Sequence, residues 1–322
     1  MLAVALVLAA LSAHVTWRGH GRATAPGGHR AAASAADIRG VAARWVVSQV
    51  SRSAIVSCDP AMCAALQARG MPSGNLLVLR QGPAGQGAAR QEAARQEAAR
   101  QEAARQGAAG QGAPDPLGSD VVVATSAVRS QFGARLSEVY APDVLASFGE
   151  RSARIEIRAV APDGSAAYRS AARADLLARK AAGAQLLRNA RVGDSVTARR
   201  QFAAGAPDSR LLVTLAAVAT LQPVYVVAFG DAARGASAGV PLRSAILTAG
   251  GAAPGTGGGG YLRGIVAFLR AQRPPFLAAS VVAARLGNGQ PSLRIEFAAP
   301  SYPGLLGAGS AIDAAAEHNG SG

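Results

Sequence analysis

The clearest chemistry in the sequence belongs to its two cysteines, Cys58 and Cys63, which four residues separate. The first ends an expected strand and the second falls in the first turn of an expected helix, a placement that a disulfide can bridge. An isolated pair of this kind indicates a structural disulfide in an exported protein. A redox pair with an acidified Cys63 and a pair of free buried thiols are the alternatives.

Histidine chemistry is excluded from the main body of the chain. The four histidines are His14, His20, His29 and His318. Because histidine is the commonest general base near neutral pH and the commonest metal ligand, residues 37–313 cannot hold a Ser-His-Asp or Cys-His mechanism or a histidine-ligated zinc ion. We therefore expect no catalytic residues, no cofactor and no metal site.

Polar residues near the ends of expected strands form a candidate ligand crevice. Side chains at strand ends often line the ligand site of an open α/β sheet. The candidates are Asp59, Asp115, Asp120, Thr125, Ser126 and Arg129. Helix caps and turns are the alternative use of these residues, with Ser126 capping a helix.

The elements that would position these residues alternate between strands and helices. Hydrophobic patterning predicts strands at residues 53–57, 76–79, 120–124, 155–160, 224–229, 242–248, 280–285 and 293–297. It predicts helices at residues 60–68, 126–139, 166–187, 196–204, 209–221 and 261–271. Short apolar strands separated by helices predict an α/β fold with a mainly parallel sheet and flanking helices. The last two strands, joined through a Gly-Asn-Gly turn, predict a C-terminal β-hairpin.

The N-terminal residues predict export. Residues 1–17 contain an unbroken apolar run from Leu2 to Leu11, which has the length of a signal-peptide core or a short signal anchor. No basic residue precedes the run, and this departs from the usual charge pattern of such leaders. A buried helix of a cytoplasmic protein is therefore the alternative. Residues 18–36 are rich in Gly, Ala, Arg and Ser and predict a flexible stalk.

The remainder is expected to form two α/β lobes that meet near residue 194. The first lobe, residues 37–193, contains a low-complexity insert at 81–116 in which the sequence QEAAR occurs three times. A five-residue period keeps no helix face apolar, so the insert is expected to be a solvated helix or a disordered loop. The second lobe covers residues 194–300, and residues 301–322 predict a flexible tail.

The net charge of +14 does not by itself indicate a nucleic-acid partner. Lys180 is the only lysine, and abundant Ala, Gly, Pro and Arg are typical of a GC-rich genome. The arginines are also scattered along the chain, whereas a nucleic-acid interface groups them. We expect no specific nucleic-acid partner, and the cell membrane or an anionic cell envelope is the expected partner.

The apolar leader and five further stretches resemble a group of exported or membrane-anchored proteins of high-GC actinobacteria. The five stretches are ADIRGVAARWVVSQVSRSAIVSCDPAMCAALQARG, DPLGSDVVVATSAVRSQFG, YAPDVLASFG, AGAQLLRN and DSRLLVTLAAVA. The resemblance covers most of residues 37–248, apart from the repeat insert. It implies a location at or beyond the membrane and implies no activity.

A second similarity is to the zinc D-alanyl-D-alanine carboxypeptidases, over residues 208–229 and 237–246. Those enzymes carry a His-x-x-Gly-x-Ala-x-Asp loop whose His and Asp bind the metal. The corresponding positions of this chain hold Gly239 and Ile246, so the resemblance implies a site without zinc.

These observations predict a non-enzymatic extracytoplasmic α/β module, membrane-anchored or secreted, with a binding or cell-envelope-associated role. One alternative is an enzyme that uses carboxylates and arginine, or the cysteine pair in redox chemistry. Another is an extracytoplasmic sensor of a small ligand. Paired buried carboxylates in a pocket would favour the enzyme, and a concave apolar pocket with few titratable groups would favour binding.

Exported protein is expected to contain no free thiol. The reason is that Cys58 and Cys63 are the only cysteines and stand at bridging spacing behind an export-like leader. Mass spectrometry after thiol labelling should show no added label until a reductant is present. Two labelled thiols in freshly secreted, unreduced protein would contradict both the disulfide and the compartment.

Overall fold

The computed structural model describes residues 34–79, 117–230, 233, 235–249, 258–301 and 303–306. The predicted signal segment, the stalk up to residue 33, the repeat insert and the tail beyond residue 306 lie outside these residues. Among the helices described, none is long and apolar enough to cross a membrane.

The first half of the described chain forms a five-stranded mixed sheet. Its strands are β1 (Val56–Cys58), β2 (Leu76–Val78), β3 (Val121–Ala124), β4 (Asp143–Phe148) and β5 (Ile155–Ala159), in the order β2-β1-β3-β5-β4. Its helices are α1 (Ala35–Gln49), α2 (Pro60–Gln67) and α3 (Ser126–Phe132). Strand β1 is parallel to β2 and β3, whereas β5 is antiparallel to β3 and β4.

A long helix, α4 (Gly164–Arg188), leads from the first sheet to a second five-stranded sheet. The second sheet has strands β6 (Val192–Asp194), β7 (Val224–Gly230), β8 (Ser244–Ala249), β9 (Ser280–Arg285) and β10 (Pro291–Glu296), in the order β6-β7-β8-β10-β9. Its helices are α5 (Val196–Ala204), α6 (Ser209–Leu221) and α7 (Gly258–Arg270). Only the β6–β7 pairing is parallel, and the β9–β10 hairpin confirms the predicted C-terminal hairpin.

The α/β class is confirmed, but the prediction of a mainly parallel sheet is wrong, because both sheets are mixed. The cause in the first sheet is β4, which the patterning missed. The expected helix over 126–139 ends at Gly133, where φ is +58°, and after a short π-helical turn the chain forms β4. Because β4 follows β3 and precedes β5 along the chain, β5 enters the sheet in the direction opposite to β3.

Helix α1 begins at Ala35, inside the segment 18–36 that the sequence predicts to be a stalk. Ser34 caps the helix: its hydroxyl accepts a hydrogen bond from the backbone N–H of Asp37 at 3.1 Å, and the Asp37 carboxylate accepts one from the Ser34 N–H at 3.2 Å. This reciprocal capping box satisfies two backbone donors that the first helical turn would otherwise leave unpaired. The helix buries Trp45 and Val46.

Backbone hydrogen bonds join the two halves, which lie in one compact unit beginning at Ser34. Ser147, in the edge strand β4, donates from its N–H to the carbonyl of Gly235 at 2.9 Å, and Ser237 donates to the carbonyl of Leu145 at 3.0 Å. At another point, Ser51 donates to the carbonyl of Ala299 at 2.9 Å. The connection between β7 and β8 and the segment that follows β10 therefore both pair with the first half of the chain.

Helices α4 and α5 approach closely at Gly183. A Cβ atom added there would lie 2.5 Å from the backbone carbonyl oxygen of Phe202. The side chain of Phe202 is completely buried in the core. At Gly264 in α7, by contrast, an added Cβ would lie 3.5 Å from the Gln222 amide nitrogen, which is ordinary contact. Two helical glycines thus differ in the space beside them.

Gly183→Ala is expected to destabilise the protein by about 1–2 kcal/mol, because overpacking against backbone outweighs the gain in helix propensity. Gly264→Ala is the matched control and should instead stabilise the protein by about 0.5–1 kcal/mol. Urea unfolding of both variants measures the two changes. A stabilising Gly183→Ala would contradict the close α4–α5 approach.

Candidate functional site

A cavity of about 510 Å³ lies between the two halves of the molecule. One wall is the inner face of α4, from Tyr168 to Arg179, and another is the segment 238–243 that leads into β8. Trp45 of α1 and the start of β4 complete the enclosure together with Ala299. The volume falls within the usual range for small-molecule sites.

The wall opposite α4 is held by backbone hydrogen bonds at both of its ends. The pairing of Ser237 with β4 fixes the start of the segment. At its end, Leu242 donates from its N–H to the carbonyl of Ala206 at 2.8 Å and accepts from the N–H of Asp208 at 2.9 Å. The segment therefore spans from the edge of the first sheet to the start of α6 (Ser209–Leu221).

A buried ion pair fixes the middle of α4 at the base of the cavity. Arg179 donates from Nε to the Oδ2 atom of Asp175 at 2.7 Å, and its Nη1 group donates to the carbonyl of Gly205. The other oxygen of Asp175 accepts from the hydroxyl of Ser209 at 2.9 Å and from the N–H of Gly304 at 3.2 Å. Both oxygens of this carboxylate therefore have protein partners.

A second buried pair lies behind the cavity, where Asp208 caps α6. Its carboxylate accepts from Arg210 through Nε at 2.9 Å and Nη2 at 2.8 Å, and Ser301 also donates to it. Burial by itself would raise the pKa of Asp208, but the hydrogen bonds and charge of Arg210 hold that pKa below its usual value. The group is therefore a fixed anion and not a proton donor near neutral pH.

Tyr168 and Asp143 form the most unusual titratable pair in the cavity wall. The phenol donates to the Asp143 carboxylate at 3.0 Å. Burial raises the pKa of Tyr168, and the charge and hydrogen bond of Asp143 raise it further. Tyr168 is therefore a neutral hydrogen-bond donor at physiological pH and cannot serve there as a general base.

The mouth of the cavity carries two exposed arginines, Arg169 and Arg173, one turn apart on α4. Deeper in the wall, Arg243 is buried and donates to the carbonyl of Phe297 at 3.1 Å and to the side-chain oxygen of Gln49 at 3.1 Å. Four arginines and two aspartates line the cavity, which leaves a net charge of +2. The arrangement suits a ligand with negative charge.

Apolar surface makes up much of the remaining wall. Trp45, Leu145, Val240 and Leu242 contribute to it. The guanidinium of Arg243 lies 5.9 Å from the centre of the Trp45 ring, so the aromatic face is also part of the electrostatic environment. Over the described part of the chain, no group of three or more His, Cys, Asp or Glu side chains could hold a metal ion.

The structure divides the candidate crevice residues between the two ends of β3. At one end, Asp59 caps α2 by accepting from the N–H of Met62 at 2.9 Å, and the hydroxyl of Thr125 donates to the same carboxylate. Asp120 precedes β3 and accepts from the N–H of Ile55 at 2.9 Å. The length of β3 therefore separates Asp120 from the other two residues.

The remaining crevice candidates have structural surroundings of their own. Arg129 donates to the backbone carbonyls of Ala124 and Arg154. Ser126 is the exposed first residue of α3, whose cap is Thr125 and not Ser126, so the expected capping role moves by one residue. Asp115 lies outside the described residues. None of the five candidates that the structure describes lines the cavity between the halves.

The predicted cysteine geometry is confirmed. The sulfur atoms of Cys58 and Cys63 lie at disulfide distance, and their Cα atoms are 5.5 Å apart. Both residues are buried where α2 packs on β1. The pair thus fastens the end of a strand to the first turn of the helix that follows it.

The two positions aligned with carboxypeptidase metal ligands have different surroundings. Gly239 is exposed in the cavity wall, whereas Ile246 is half-buried within β8. Comparisons with protein-family models, with characterised proteins and with solved structures found no match.

Sequence reasoning missed the cavity arginines and the Asp175–Arg179 pair. One signal was available, because Asp175 and Arg179 stand four residues apart within the predicted helix 166–187, as do Arg169 and Arg173. Nothing in the sequence indicated that this helix face would meet the segment 238–243, since the contact joins the two halves of the molecule.

The stability contributed by Tyr168 is expected to be lost at alkaline pH. Since folding raises the pKa of its phenol, the contribution is present below about pH 10, the unfolded value, and falls above it. Tyr168→Phe should cost about 0.5–1.5 kcal/mol at pH 8 by removing the bond to Asp143, and should flatten the decline above pH 10. Urea unfolding from pH 8 to 11, with Tyr225→Phe as the exposed control, tests this. An unchanged slope in Tyr168→Phe would contradict the assignment.

Proposed function

We propose that this protein is a non-enzymatic extracytoplasmic binding module, membrane-anchored or secreted, that holds a small ligand in the cavity between its two halves. The observation that carries the proposal is the cavity of about 510 Å³, which combines an apolar wall with polar side chains, most of them fixed by protein partners. Natural ligand sites have this composition. Both an envelope-associated binding role and a ligand-sensing role require a cavity that can hold a ligand.

The state of the acidic groups in the cavity favours binding over catalysis. Two carboxylates line it, which is the pattern expected of an enzyme, but Asp175 is saturated by Arg179, Ser209 and Gly304. The other carboxylate, Asp143, accepts a hydrogen bond from Tyr168, and the raised pKa of Tyr168 keeps that phenol neutral. These hydrogen bonds to protein groups favour a positioning role for both carboxylates over general-base catalysis, which requires a carboxylate in contact with a substrate proton.

The extracytoplasmic location rests on the predicted leader and on the cysteine pair. A disulfide at Cys58–Cys63 is the form that an oxidising compartment maintains. Burial of both sulfur atoms between α2 and β1 supports a structural role in preference to redox turnover, because reactive thiols are accessible.

Binding can be tested with Trp45 as the reporter, because it lines the cavity and only one other tryptophan, Trp17, is present. The full-length chain carrying Trp17→Phe is screened against a library of small molecules for changes in Trp45 emission and melting temperature. We expect some members of the library to change both the Trp45 emission and the melting temperature.

A cavity-filling variant locates the binding. Ala172→Phe places a ring on the α4 wall and should weaken the binding of each active compound at least about tenfold, the equivalent of 1.4 kcal/mol. Ala181→Phe, at an exposed position of the same helix outside the cavity, is the matched control. A library without active compounds, or active compounds that Ala172→Phe leaves unaffected, would overturn the proposal.

A further inference from the structure

Resting on the proposed binding function, we infer that the ligand is an organic anion whose carboxylate or phosphate group is held by Arg169 and Arg173 at the mouth of the cavity. Helix α4 places these two side chains four residues apart, and therefore on one face of the helix. Both are exposed and both line the cavity.

These two arginines differ from the paired arginines nearby. Arg179 and Arg210 are buried, and each forms an ion pair with a carboxylate. Arg173 makes no hydrogen bond or ion pair with the residues that the structure describes, and Arg169 reaches only the carbonyl of Ser137, at 3.5 Å. Two like charges one helical turn apart repel each other, and an anion between them relieves that repulsion.

The acidic groups of the cavity do not neutralise this pair. Asp175 is already matched by Arg179, and the single charge of Asp143, which the neutral phenol of Tyr168 does not cancel, is smaller than the combined charge of Arg169 and Arg173. The buried guanidinium of Arg243 adds a third positive charge in the wall. The field at the mouth therefore favours an anion, and planar guanidinium groups match the oxygen atoms of carboxylates and phosphates.

The rest of the cavity indicates that the anion has an organic body. Trp45, Leu145 and Leu242 offer apolar surface that a bare inorganic ion would leave uncovered.

The ligand class is tested with three probes of similar shape: benzoate, phenylphosphonate and benzamide. Each is titrated into the full-length Trp17→Phe protein while Trp45 emission is recorded, with calorimetry as a second reading. We expect the anions to bind at least tenfold more tightly than benzamide, with affinity that falls as salt increases. The stronger of the two anions shows whether a carboxylate or a phosphate group is preferred.

The residues are tested with Arg169→Gln combined with Arg173→Gln. This double variant should lose at least tenfold in affinity for the anions, keep its affinity for benzamide and keep its melting temperature, since both side chains are exposed. Arg188→Gln, exposed in the last turn of the same helix and outside the cavity, is the control and should change nothing.

The outcomes separate the two proposals. Equal binding of benzamide and the anions, or anion binding that the double variant retains, would overturn the ligand class while leaving the cavity as a binding site. Failure of all three probes, together with a library that contains no active compound, would overturn the ligand class and the proposed function together.

Discussion

The arrangement of the cavity depends on one buried ion pair, Asp175 with Arg179. A buried charge is tolerated only when its partners replace the water that it loses, and removing one member of such a pair typically costs about 3–5 kcal/mol. Here the partners come from separate parts of the chain, because the pair also contacts Ser209, Gly205 and Gly304. The requirement that all these polar atoms be satisfied fixes α4 against the start of α6 and against the chain that follows the second sheet.

The fixed position of α4 also determines where its other charged side chains lie. All four side chains line the cavity, but at 3.6 residues per turn Arg169 and Arg173 lie about 120° around the helix axis from Asp175 and Arg179, on a flank that is exposed to solvent. Close packing reinforces the orientation at Gly205, where φ is +64° and an added Cβ would lie 2.8 Å from the Lys180 side chain. A residue other than glycine would push α5 away from α4. The charges at the mouth of the cavity are therefore positioned by contacts at its base.

Local patterning was sufficient for elements that carry their own signal. The helix at Ser209–Leu221 and the strand at Ser280–Arg285 were predicted with the bounds that the structure has, because a long apolar run and a Gly-Asn-Gly turn mark them. Strand β4 was missed, since its sequence mixes polar and apolar residues and part of its stabilisation comes from a distant segment near Gly235 in addition to the neighbouring strand β5. That single omission also produced the error in strand direction.

The candidate site was missed for a related reason. A ligand crevice at strand ends follows from a parallel sheet, in which the carboxyl ends of the strands gather at one edge. In the first sheet the carboxyl ends of the parallel strands β1 and β3 do bring Asp59 and Thr125 together, but these two side chains bond to each other and cap helices, and Asp120 lies at the opposite end of β3. The cavity forms instead between the two halves, where α4 and the segment 238–243 line the same space although even Arg179 and Ala238 are 238 − 179 = 59 positions apart. Residue spacing within one helix cannot reveal a wall contributed by such a distant segment.

The position of each arginine in the fold, and not the number of arginines, indicates its role. A net charge of +14 reflects composition, and most arginines would be present whatever the function. The fold separates those that are buried with a carboxylate, such as Arg179 and Arg210, from exposed ones such as Arg173. The first group satisfies an electrostatic demand of folding, because an unpaired buried charge is costly. An exposed arginine beside an enclosed apolar wall meets no such demand, so its location at the cavity is better explained by what enters the cavity than by what holds the fold together.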